Sequence, residues 1–66
     1  MQNSYWTKFD ADAHYTLATQ LYDEFPYKAE KHFLRALSLI PENAEYHFRL
    51  ATLYHLKMEE ILNAEM

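Results

Sequence analysis

Four histidines and ten acids are the residues in this 66-residue chain whose types could do chemistry, and their spacing decides what chemistry that is. Asp10 and His14 stand one helical turn apart, as do His55 and Glu59. Each pair offers two ligands, whereas a closed metal site takes three or four, and neither pair belongs to a His-Glu-x-x-His pattern. Cysteine is absent, which removes thiolate zinc sites, disulfides and a thiol nucleophile. Glycine is absent too, so there is no phosphate-cradling loop and no glycine-flanked serine elbow; Ser4 and Ser38 lie in no nucleophile setting. The adjacent acids Asp23-Glu24 and Glu59-Glu60 point to different sides of a helix and read as solvating charge, not as an acid/base pair. The sequence therefore predicts no catalytic residue, no cofactor, no metal and no enzyme.

The basic residues are few. Lys28, Lys31 and Arg35, with His32 beside them, are half of all the lysine and arginine, and they read as a solvated outer face. A formal charge of −4 excludes the non-specific nucleic-acid binder. No run of about 18 apolar residues occurs, so no membrane span is expected. The opening MQNSYWTKF has neither a basic start nor a long apolar centre, and a cytoplasmic protein is expected.

Half the chain is apolar, with six tyrosines, four phenylalanines and a tryptophan. Such a chain collapses around a core, yet at this length a core standing alone is marginal. Without disulfides or metal, the route left to it is oligomerisation or docking.

The elements that position these residues are helices. Residues 1–9 are predicted as an N-terminal arm whose Tyr5, Trp6 and Phe9 rings cover one end of the bundle. Thr7 and Asp10 have capping-box spacing, which starts helix 1 at residues 10–25, with His14, Leu17, Ala18, Leu21 and Phe25 on one face. Pro26 breaks that pattern. Helix 2 is predicted over residues 27–40, with Ala29, Phe33, Ala36, Leu37 and Ile40 as its apolar face and Pro41 as its stop. The connection is short, so the two helices run antiparallel. Asn43 is the expected N-cap of helix 3, residues 43–65, which meets no breaker. Whether its last ten residues continue the helix or fold back is open on the sequence.

The first and third helices share a motif. His14-Tyr15-Thr16-Leu17-Ala18-Thr19 aligns with His47-Phe48-Arg49-Leu50-Ala51-Thr52 at an offset of 33, with four of the six residues identical. Helix 2 reads Ala29-x3-Phe33-x2-Ala36-x4-Pro41. Together these resemble the tetratricopeptide repeat, an αα-hairpin unit of 34 residues that stacks on its neighbours. The likeness covers residues 11–54, about one and a half repeats. His14 and His47 stand where the family has a large aromatic, and Met58-Glu59 stands where the first copy turns. The resemblance implies a concave surface lined by first helices. Tyr15, Thr19, Tyr22, Phe48, Thr52 and His55 would bind a peptide or helix there, flanked by Asp12, Asp23, Glu45 and Leu56. The lysines and asparagines with which some members clamp a C-terminal carboxylate are missing, so an apolar or basic peptide suits the surface better.

Helix 3 has a narrow polar stripe, Glu45, Arg49, Thr52, Glu59 and Asn63, and is otherwise largely apolar. A helix of that kind needs cover on more than one side. The reading is thus an all-α protomer, an antiparallel hairpin plus a long third helix, completed as a homodimer through Leu53, Leu56, Met58, Ile61 and Leu62. Its expected function is non-enzymatic: self-association and the binding of a protein or peptide partner. The alternative is a small acidic inhibitor or decoy that occupies a basic site on another protein.

Overall fold

The computed structural model describes residues 4–64. They form three helices, α1 (Ser4–Leu21), α2 (Pro26–Leu39) and α3 (Ala44–Ala64). Residues 1–3 of the predicted arm and residue 65 of predicted helix 3 lie outside the described residues, as does residue 66.

The rest of the predicted arm is helix. Nothing between Ser4 and Phe9 breaks a helix, and extending an existing helix costs far less than nucleating one. The Thr7–Asp10 spacing therefore does not mark a start. Trp6 and Phe9 meet edge-on along this first stretch, centroids 6.3 Å apart.

At its other end α1 stops at Leu21, four residues before the predicted Phe25. Pro26 is the cause. It restricts Phe25 to φ −132°, ψ 65°, outside the helical region, and makes it the N-cap of α2. Pro26 itself opens α2, where its missing N–H would have had no partner. The tight turn is held by Phe25 N donating to the Leu21 carbonyl at 2.8 Å, and Ala29 N to the Phe25 carbonyl at 2.9 Å. Phe25 thereby leaves the helix face predicted for it and is exposed.

Ile40 closes α2, its N–H on the Ala36 carbonyl at 3.0 Å, immediately before Pro41. The Asn43 side chain accepts the Tyr46 N–H at 3.1 Å and so caps α3. From there α3 runs unbroken for 21 residues, roughly 30 Å at 1.5 Å per residue.

Packing sets the directions. Ala11 and Ala36 share one buried cluster, and Ala18 and Ala29 share the other, so α2 runs antiparallel to α1. Phe33 sits between the alanine pairs, fully buried. Alanine at these crossings lets the helix axes approach closely. Leu50 and Leu53 of α3 join the Ala18 cluster and Tyr46 joins the Ala11 cluster. That places α3 parallel to α1 and antiparallel to α2.

At the far end of α2, Lys57 Nζ donates to Glu30 Oε1 at 2.7 Å and lies 4.1 Å from the Tyr27 ring centroid. Beyond Lys57, residues 58–63 are all exposed: α3 overhangs the hairpin by nearly two turns. No described helix is long and apolar enough to cross a membrane.

Candidate functional site

Where α3 passes α1, two side-chain hydrogen bonds join residues distant in sequence. The Tyr46 ring is buried and stacks on Tyr15, centroids 4.8 Å apart. Its hydroxyl donates to Asp12 Oδ1 on α1. Tyr15 in turn donates to Glu45 Oε2 on α3 and tilts against Phe33 at 5.8 Å. One turn and three residues further along α1, Tyr22 meets the same Phe33 edge-on at 6.3 Å. Two tyrosines of α1 thus share one buried ring as their floor.

Burial is the first cause of the titration behaviour here. It pushes the Tyr15 and Tyr22 hydroxyls above the ordinary tyrosine value, assisted at Tyr15 by the Glu45 carboxylate and opposed at both by Arg49. Tyr46 is raised furthest, by burial and then by its bond to Asp12. A phenol held neutral in this way keeps its proton to donate and keeps its ring packed. Arg49 is a cation that acts on both Tyr15 and Tyr22, opposing at each the upward shift that burial causes.

The six residues predicted to line one surface divide into two groups. Tyr15, Thr19 and Tyr22 are half-buried along α1 beside α3. Thr52 is exposed at the rim, its hydroxyl turned back to the Phe48 carbonyl at 2.8 Å. Phe48 and His55 are elsewhere. Each helical residue advances about 100°, so Phe48 falls nearly opposite both Tyr46 and Leu50, which face the core. It is 69% exposed. His55 lies on that same outward face and pairs with Glu59 at 3.1 Å. Arg49, a member of the polar stripe of helix 3, takes their place on the α1 side, where it acts on Tyr15 and Tyr22. Its i+3 relation to Tyr46 was the available signal.

The predicted dimer residues divide as well. Leu53 is fully buried inside the protomer, against Ala18, Ala29 and Phe33, and is not a surface residue. Leu56 is half-buried. Met58, Ile61 and Leu62 are exposed on the overhang. Helix 3 is apolar around most of its circumference, and sequence periodicity alone does not say which side meets the hairpin.

The histidines settle differently from their repeat positions. His14 lies across the hairpin from His32, rings stacked at 5.2 Å and Nδ1 to Nδ1 3.0 Å. One nitrogen must carry the proton and the other must accept it. His47 bonds through Nε2 to the Pro41 carbonyl at 2.6 Å, so its ring closes the α2–α3 turn. Among the described residues no three of His, Asp and Glu stand together as metal ligands would. A shallow depression of about 430 Å³ on the outer side of α1, between Phe9 and Gln20, is lined by that helix alone.

No family model, curated protein or solved structure matches this chain. What the coordinates define is its class: a small all-α protein of three helices, a hairpin with a third helix packed along it.

Proposed function

We propose that this chain is a non-enzymatic protein–protein interaction module, a tetratricopeptide-like unit of one and a half repeats that self-associates and binds a peptide or helix of a partner protein. The observation that carries the reading is the hydrogen bond from Tyr46 of α3 to Asp12 of α1, which ties together two residues 34 positions apart. That separation equals the repeat length of the family the sequence resembles. In this reading the binding groove lies on the α1–α3 side, where Phe33 underlies Tyr15 and Tyr22 and where Glu45 and Arg49 carry charge. Tyr15 and Tyr22 supply apolar rings with polar tips, a combination suited to a ligand that is apolar on one side and wet on the other. Arg49 and Glu45 supply both signs of charge for orienting it.

The test is a screen of a random peptide library by fluorescence anisotropy, followed by Arg49→Glu and Thr19→Arg. Arg49 is exposed, so reversing its charge leaves the core untouched. Selected peptides are expected to lose at least about tenfold in affinity with either variant, an effect on the order of 1.4 kcal/mol. A folded protein that selects no peptide would remove the groove from the reading. Tight 1:1 binding to a basic protein, weakening steeply with salt, would favour the acidic decoy in its place.

A further inference from the structure

The face of α3 turned away from the hairpin has a pattern of its own. Ala44, Phe48, Ala51, His55, Met58 and Leu62 follow one another at alternating steps of four and three residues. This is the 3.5-residue spacing with which one helix meets another along a seam. All six are exposed, and Phe48, Met58 and Leu62 are each more than half accessible. Leu50 and Leu53, which carry the core contact, lie on the opposite side. The helix thus has two apolar faces, and the hairpin covers one.

Residue sizes along the seam identify what covers the other. Place a second α3 antiparallel to the first, with the two-fold axis beside Leu53. Ala44 then faces Leu62 of the second copy, Phe48 faces its Met58, and Ala51 faces its His55. Four of the six layers set an alanine against a larger side chain, and the remaining two set Phe against Met. The seam is therefore complementary to itself, as a two-fold interface requires. In a parallel pair alanine would face alanine, leaving voids, and the His55 rings would meet each other. At the edges of the antiparallel pair Glu45 approaches Glu59 of the second copy; each already has a partner within its own chain, Tyr15 and His55 respectively.

The protomer's own packing points the same way. Among the described residues four of the eight buried core residues are alanines, which bury little area, so the core is thin for a chain of this length. The overhang beyond Lys57 lacks cover in the protomer, and in the antiparallel pair it lies along the first half of the other α3. We infer that α3 docks antiparallel on α3 of a second copy of this chain through the seam from Ala44 to Leu62. The inference rests on the self-association in the reading above, and specifies its surface and direction.

The chain has no cysteine, so single cysteines report this arrangement cleanly. Ala44 and Leu62 are about 27 Å apart along one helix, far beyond the reach of a disulfide. Under mild oxidation, Ala44→Cys mixed with Leu62→Cys is expected to give a covalent dimer, and neither variant alone should do so. Light scattering on the unmodified protein should give a mass twice the 8.0 kDa chain, and Phe48→Lys should raise the dissociation constant at least about 100-fold. Efficient self-crosslinking of either single variant would overturn the antiparallel direction. A dimer whose mixed cysteines stay reduced would overturn the seam but leave self-association standing. A monomer at every concentration, folded or unfolded, would overturn the second copy as occupant; peptide binding by that monomer would still support the groove.

Discussion

The Tyr46 hydroxyl donates to the Asp12 carboxylate across the α1–α3 junction, and the Tyr46 ring is almost wholly buried while Asp12 is exposed. The bond joins a core residue to a surface charge. Removing it leaves a carboxylate that water can reach, so the loss is that of the hydrogen bond without a stranded buried charge. Tyr46→Phe is expected to cost roughly 1–2 kcal/mol, and the midpoint of thermal unfolding should fall by several degrees. Urea titration checks the free energy.

The same residue predicts alkaline behaviour. Tyr46, Tyr15 and Tyr22 are raised above the ordinary 10.0 by burial first, and Tyr54 by its hydrogen bond to Glu30 and then by burial. A raised acid holds its proton longer in the folded state than in the unfolded one. The stability it contributes is fully present below pH 10 and is lost as the pH rises from there through the folded values. Unfolding followed by tyrosinate absorbance should show stability flat up to that point and falling beyond it, with a shallower fall in Tyr46→Phe.

Lys57 and Glu30 make the opposite prediction in acid. The Lys57 ammonium, and after it the Tyr54 hydroxyl, hold Glu30 below the usual carboxylate range. That contribution is present above pH 4.5 and is lost as the pH falls through the folded value. Both side chains are largely covered, and Lys57 also lies over the Tyr27 ring. Lys57→Met should therefore cost about 1–3 kcal/mol near neutral pH and flatten the acid limb of the stability curve. Chemical denaturation across the acid range measures both.

His14 and His32 should exist as opposite tautomers when both are neutral, because their Nδ1 atoms share one proton at 3.0 Å. Nitrogen-15 shifts of the two rings would show one protonated at Nδ1 and the other at Nε2. Identical tautomers would exclude the contact. Replacing either ring with phenylalanine should release the other to the ordinary solution mixture of tautomers.

Phe33 is the floor of both α1 tyrosines and is itself fully buried. Phe33→Ala is expected to cost about 3–5 kcal/mol, which approaches the whole stability of a domain this small. Circular dichroism should show lost cooperativity, and the variant serves as an unfolded control for binding assays.

Much of this architecture is local, and the chain carries it openly. Pro26 and Pro41 fix where α2 begins and ends because each constrains the residue before it. Asn43 caps α3 through its own side chain, and the Ala29-Phe33-Ala36 face declares itself by spacing. Each of these depends on neighbours a turn away. The start of α1 was less legible, since absence of a breaker outweighs a capping pattern once a helix is growing.

What only the tertiary structure decided concerns sides and long-range partners. Helix 3 is apolar around most of its surface, so its sequence permits several faces to meet the hairpin. Packing against Ala18 and Phe33 selected the face bearing Leu50 and Leu53. That choice put Leu53 in the core, turned Phe48 and His55 outward and brought Arg49 beside Tyr15 and Tyr22. It also matched His14 with His32 in place of grouping it with its repeat equivalent, His47. Periodicity specifies that a face is buried; which residues meet across it depends on the register of the helices, and that is set by the packing of the whole chain.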